Sequence, residues 1–326
     1  MAAIVIMGLA TAVILVGRDK SSSSGGSRSD ASGDAGPNLV APAPSGGPGM
    51  GQAEAPAGCT AQVVSDSAGM TQALSAAAPG ARICLTGDMR PARLTVERSG
   101  TADRPITILG GGRAVTAGIT VEADHIVIDG VIAQQPDAPG ISLKGNNLTL
   151  KNSASLSPRK GDGDGIRFWG SGLKILHNTV RDTQGTDKRH ADCMQTFATD
   201  EDHPASQDVI IDSNRCEKID NICLIAEGPH SEAGDGSGDG HSTNFVFSNN
   251  YCDNGAGQAL FVDDVSNVQV INNDIVGRVE KAFAFQNEST GATVHGNRIT
   301  PGIRYEVGMD DSSEDGYKGP EPGGGP

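Results

Sequence analysis

Five copies of one short pattern recur in the second half of the chain: apolar, any, apolar, any, any, asparagine. They are Leu173-x-Ile175-x-x-Asn178, Val209-x-Ile211-x-x-Asn214, Phe245-x-Phe247-x-x-Asn250, Val268-x-Val270-x-x-Asn273 and Ala292-x-Val294-x-x-Asn297. The asparagines stand 36, 36, 23 and 24 residues apart. A repeat of this length with alternating apolar positions is one coil of a solenoid, each strand stacking on the next. A second apolar-x-apolar pair lies upstream of each copy: Ile166/Phe168, Met194/Thr196, Leu224/Ala226, Leu260/Val262 and, weaker, Phe285/Asn287. The expected fold is therefore all-β, a single-stranded right-handed parallel β-helix with asparagine at each corner. Its outward sheet would form a long groove suited to a polymer.

Composition supports a narrow, many-cornered solenoid: 45 glycines and only 3% aromatic residues in 326. The formal net charge of −15 excludes nucleic acid as the main partner, because phosphate binding requires a basic footprint. Basic residues do gather locally, with Arg159, Lys160, Arg167, Lys174, Arg181, Lys188 and Arg189 in one 31-residue window. That window reads either as solvated loop charge or as a cationic site for an anionic ligand.

Four segments are expected. Residues 1–20 are an apolar signal anchor or export signal, ending in Arg18, Asp19 and Lys20. Residues 21–58 are a disordered Ser/Gly/Pro/Ala linker with too few apolar residues to form a core. The β-helix spans 59–302, and 303–326 form an acidic Gly/Pro tail expected to be disordered. A short capping helix should open the solenoid, with Asp66 and Ser67 at its start, Met70, Leu74 and Ala78 on one face, and Pro79-Gly80 ending it. Membrane contact is expected only through the first segment, and the protein is expected to be monomeric.

Six cysteines leave none unpaired if joined by repeat position. Cys216 and Cys252 each lie two residues after a corner asparagine. Cys193 and Cys223 each precede the first inward residue of a coil. Coil stacking at about 4.8 Å then suggests Cys193–Cys223 and Cys216–Cys252, with Cys59–Cys84 left over. Three disulfides imply an oxidising, extracellular or cell-surface location, tethered or secreted.

The segment Met70-x3-Leu74 to Pro79-Gly80-Ala81-x-Ile83-x-Leu85 resembles the amino-terminal cap of pectate-lyase-like proteins. Ser99-Gly100-Thr101-Ala102-Asp103-Arg104-Pro105-Ile106-Thr107-Ile108 is similar to a stretch of β-helix polysaccharide lyases of the chondroitinase B and alginate lyase type. The resemblance implies the fold over roughly 59–300 and action on an extracellular polysaccharide. The catalytic Lys and Arg of those lyases find no residue-by-residue match. The Asp clusters and Gly-His-Gly of polygalacturonases are also missing.

Aligning Ile166 with Met194 stacks Asp164 on Asp192 and sets Arg167 beside Gln195, both outward, with His190 in the turn before its strand. These five are the candidate catalytic residues. Lys160, Arg189, Trp169, Glu227 and His230 are candidate substrate-binding residues, the last two lying on an insertion into a longer coil. Uronate β-elimination needs a cation for the carboxylate, here Arg167, Arg189 or Lys160, and a base near neutrality, His190. Hydrolysis would use Asp164 and Asp192 as the acid–base pair, and the same two carboxylates would suit one calcium ion. Asp-Gly before a strand is also ordinary turn chemistry, so the polar ladder would equally serve a glycoside hydrolase or a non-catalytic carbohydrate-binding or structural solenoid.

Overall fold

The computed structural model describes residues 56–186, 189–231 and 239–326. The expected apolar anchor and all but the end of the expected linker lie outside the described residues. Among those described, no helix is long and apolar enough to cross a membrane.

The repeat period becomes parallel stacking throughout. One wall is a nine-stranded sheet: Leu94–Val96, Ile119–Glu122, Ile141–Lys144, Ile166–Trp169, Met194–Phe197, Leu224–Glu227, Gln258–Asp263, Lys281–Gln286 and Tyr305–Met309. The other walls are a bent 18-stranded sheet. The expected register holds: Ile166 pairs with Met194 and Arg167 with Gln195, then Met194 with Leu224 and Leu224 with Leu260. Inward residues alternate with outward ones, so a continuous apolar core fills the coils. In the last of the five coils the inward pair is Phe283/Phe285 rather than Phe285/Asn287, because Phe283 stacks on Leu260 and Phe285 on Val262.

The corner asparagines form a hydrogen-bonded ladder. Each backbone N–H donates to Oδ1 of the asparagine one coil on: Asn178 to Asn214 at 2.8 Å, then Asn214 to Asn250, Asn250 to Asn273 and Asn273 to Asn297 at 2.9 Å. Each Nδ2 also donates to a strand carbonyl, as Asn214 does to Ile175 O at 2.8 Å. A buried corner leaves backbone polar groups that strand pairing cannot reach, and a side-chain amide supplies both a donor and an acceptor. The residue before each rung turns left-handed; Gly296 does so at φ 70°, and a Cβ there would stand 2.3 Å from Asn272 Oδ1.

The helix Ser67–Ser75 opens the solenoid, capped by Asp66 Oδ1, which accepts from Gly69 N at 2.8 Å. Met70 and Leu74 are buried against the core, but the helix stops before Ala78, which is exposed while Ala77 is buried in its place. At the other end, the segment expected to be disordered is ordered. Tyr305–Met309 adds a strand, and Gly323 N and Gly324 O bond Val307 O and Met309 N at 2.9 Å. Glycine permits this return: a Cβ at Gly323 would stand 1.9 Å from the Tyr305 ring.

Cys59–Cys84 is bonded as expected, whereas the other bridges are Cys193–Cys216 and Cys223–Cys252. Stacked residues of a parallel sheet point the same way at strand spacing, too far for the short Cβ···Cβ separation a disulfide needs. Cysteines about a coil apart can face each other across a corner, with Cα atoms 5.8 and 6.1 Å apart. Each bridge closes a loop of about one coil, worth about 3 kcal/mol against the unfolded chain.

Candidate functional site

The candidate residues gather where the coils of Ile166–Trp169, Met194–Phe197 and Leu224–Glu227 enter the nine-stranded sheet. Asp164 and Asp192 are buried at 1% and 0% exposure. Asp192 N donates to Asp164 Oδ1 at 2.8 Å, and Ile222 N donates to Asp192 Oδ1 at 2.9 Å, with Asn221 Nδ2 on the same oxygen at 2.8 Å. A carboxylate ladder thus joins three successive coils. The second oxygens face outward: Asp164 Oδ2 accepts from Arg167 Nε at 2.8 Å, and Asp192 Oδ2 lies 3.3 Å from His190 Nδ1. Arg167 also pairs with Asp162, and its guanidinium carbon sits 5.2 Å from the Phe197 ring centre.

His190 reaches solvent with 63% of its side chain exposed, on a carboxylate that does not. The hydrogen bond to Asp192 holds its pKa above the ordinary imidazole value; partial burial opposes, and the charges of Asp192, Asp164 and Glu227 add. Burial pushes the Asp164 carboxyl up to about 7, with the charge of Asp192 adding and Arg167 opposing. Glu227 also reaches about 7, through burial first and the charge of Asp263 second, against a hydrogen bond from the Gln195 amide. Gln195 is 8% exposed, and its Oε1 is buried without a partner among the described residues. Perturbed carboxyls beside an exposed histidine are an arrangement that acid–base chemistry can use.

Several expectations change. Buried and fully bonded, Asp164 and Asp192 cannot serve as a direct hydrolytic pair; they act on Arg167 and His190 instead. They do not fit calcium either, because each of their four oxygens already meets a nitrogen group. Among the described residues, no group of three or more His, Cys, Asp or Glu is placed to hold a metal. The basic window does not form one cationic patch. Lys160 pairs with Asp137 at 3.0 Å, Arg181 with Asp182 at 3.2 Å, and Arg189 donates to Gly161 O. Lys174 lies on the other sheet, and Lys188 is outside the described residues.

Trp169 is 3% exposed and unavailable to a sugar: its Nε1 donates to Phe197 O at 2.8 Å, and His203 packs 4.8 Å from its ring. Size and an edge-to-face partner draw it under the 198–206 loop. His230 is held by Asp264, Nδ1 to Oδ2 at 3.1 Å, at the start of the loop after Glu227. The sequence reading missed Asp162, Asn221 and Asp263. Asp263 pairs in register with Glu227, so aligning Leu260 with Leu224 would have found it.

A family model described as right handed beta helix region matches residues 117–299. No curated protein matches the sequence. Among solved structures, the PL6 family alginate lyase AlyGC is similar at a TM-score of 0.53 and 15% identity, over 76% of this chain and 40% of that one. An alginate lyase from Paenibacillus sp. str. FPU-7 aligns at a TM-score of 0.37 and 16% identity, over 79% of this chain and 97% of that one. At these identities the likeness concerns the fold, and the chain spans less than half of AlyGC.

Proposed function

Since the chain belongs to the right-handed β-helix family, we propose that it is an exported enzyme that cleaves a uronic-acid-containing polysaccharide by β-elimination. The observation that carries this reading is the solvent-facing His190 held on the buried carboxylate of Asp192. In the proposed step His190 takes the proton from C5 of the uronate. The electrons form the C4–C5 double bond as the C4–O bond breaks, and Glu227, protonated in part near neutrality, gives its proton to the departing oxygen. Arg167, fixed on Asp162 and Asp164, faces the uronate carboxylate. Asp192 orients the imidazole and stabilises its charged form, as the carboxylate does in a Ser-His-Asp triad. Export is supported by three disulfides and no free cysteine.

One observation favours a second reading, hydrolysis of a less charged glycan: two aspartates already balance Arg167, so the surroundings of His190 are acidic. A panel of polyuronates and neutral glycans separates the two. Elimination gives an unsaturated product with strong ultraviolet absorbance; hydrolysis gives reducing ends without it. Loss of turnover in His190→Ala, with the near-ultraviolet circular dichroism of Trp169 unchanged, is the expected result. Binding without turnover by the parent protein would refute both and leave a carbohydrate-binding solenoid.

A further inference from the structure

The outer face of the nine-stranded sheet carries one row that runs through the candidate site. In register it reads Arg167, Gln195, Ile225, Phe261, Ala284 and Gly308. Five of the seven phenylalanines, Phe168, Phe245, Phe247, Phe283 and Phe285, are fully buried in the core. The other two, Phe197 and Phe261, lie on this outer face and are part exposed. Phe197 is occupied, with Trp169, His203 and Arg167 all against its ring. No ring or cation lies against Phe261 among the described residues. Its neighbours in sequence, Leu260 and Val262, are buried inward, so the core gives no reason for a large aromatic to face out here.

The row also has an end. Of the outward residues around Phe261, Gln195 is 8%, Ile225 6% and Ala284 0% exposed, so the row opens to solvent at Phe261 and is fully covered one coil beyond it. A further coil on, a Cβ at Gly308 would stand 2.4 Å from Gly325 O and 2.8 Å from Lys281 Cδ. Lys281 Nζ in turn donates to Gly325 O at 2.8 Å. The returning 323–325 segment and the Lys281 stem therefore close the face beyond Phe261.

We propose that Phe261 floors a sugar-binding subsite at the blind end of the groove, stacking on one pyranose ring of the polysaccharide. This rests on the elimination reading only in taking the groove as a polysaccharide site. Phe261 lies two coils from Gln195, about 10 Å at strand spacing. A pyranose occupies about one coil spacing, so about two rings fit between the reacting bond and the closed end. The carbon–hydrogen face of a pyranose is apolar and flat, the shape an exposed phenyl ring accepts. A groove closed on one side admits a chain end rather than the middle of a polymer.

The test uses the full chain and its Phe261→Ala and Phe261→Tyr variants on oligosaccharides of graded length prepared from alginate and from polygalacturonate. Phe261→Ala is expected to raise KM about five- to tenfold while kcat falls far less, and Phe261→Tyr to stay near the parent. Products should be short from the outset, and polymer viscosity should fall slowly. Unchanged KM in Phe261→Ala, or rapid early loss of viscosity, would overturn the subsite while leaving elimination intact. If the parent turns over nothing, calorimetric binding of the same oligosaccharides decides. Weaker binding by Phe261→Ala than by parent and Tyr variant sustains the subsite and removes the elimination reading. Equal binding by all three, or none by the parent, overturns the subsite.

Discussion

Glu227 can be tested without knowing the substrate, because its position sets a stability cost that depends on pH. An ordinary glutamate titrates at 4.5, and burial together with the Asp263 charge moves Glu227 to about 7. At about 1.4 kcal/mol for each tenfold change in proton affinity, ionised Glu227 destabilises the fold by about 3 kcal/mol. The sign follows from linkage: a carboxyl raised on folding contributes stability that is complete below pH 4.5 and is lost as pH climbs through 7. At pH 5 about three-quarters of it remains; at pH 8 nearly all is gone. Because the side chain is only partly buried, solvent reduces the figure to about 2 kcal/mol.

Glu227→Gln keeps the shape and a hydrogen-bonding partner for Gln195 but cannot ionise. The variant should therefore be more stable than the parent by about 2 kcal/mol at pH 8 and within about 1 kcal/mol of it at pH 5. For a domain of this size that is about 6 °C in Tm at the higher pH. Asp164, which also titrates near 7, is present in both proteins, so its contribution largely cancels in the comparison. Paired thermal and urea denaturation at the two pH values measures it. Equal stability at both, or a loss at pH 8, would refute the account, because Glu227 would then be a paired structural carboxylate. A gain in stability together with lost turnover is what a strained catalytic acid predicts.

Two further outcomes follow from named contacts. Asp192→Asn removes the charge that raises His190, so the His190 titration seen by nuclear magnetic resonance should move to lower pH. The acid limb of turnover, which needs neutral imidazole, should move the same way; an unmoved titration would remove Asp192 from the site. Asn214→Ala orphans Asn178 N–H and Ile175 C=O in a buried corner and should cost about 2–5 kcal/mol by urea denaturation. Asn297→Ala, at the part-buried end of the ladder, should cost less than half as much, and equal losses would show that the ladder is not what holds the corner.

What could be read from the sequence is whatever obeys the coil period. Inward pairs and register follow from strict alternation, so Ile166 on Met194, and with it the meeting of Asp164, Asp192, Arg167 and Gln195, was already legible. What resisted depends on direction and depth at the corners, where alternation stops. Position alone could not tell that Cys193 faces Cys216 across a corner rather than Cys223 above it. Nor could it tell that Asp164 and Asp192 turn inward to bond backbone N–H groups. The tail misled for a different reason: its glycines and prolines deny it a core, but it needs none to return its backbone to Val307 and Met309. Trp169 was ambiguous because outward alternation does not reveal which loop folds over an outward residue.

Two ladders hold this solenoid, and their difference explains why the chemistry sits where it does. The asparagine ladder consumes both ends of each amide: Oδ1 accepts from the neighbouring coil and Nδ2 donates to a strand carbonyl. Nothing is left over, and no charge is buried. The aspartate ladder repeats the accepting half with Oδ1 of Asp164 and Asp192, but Oδ2 has no donor hydrogen to give to a carbonyl. It carries negative charge toward the surface, and the chain answers with Arg167 on one rung and His190 on the next. A carboxylate at a buried corner costs more than an amide, since unscreened charge is expensive to desolvate. If corner geometry were all that mattered, asparagine would serve here as it does at the other corner. The carboxylates stand at the two rungs where one meets an exposed imidazole and the other a part-buried guanidinium. Cys193, one residue past the Asp192 rung, is tied to Cys216, and Cys223, one residue past the Ile222 N–H that bonds Asp192, is tied to Cys252, so both residues flanking this rung are covalently anchored.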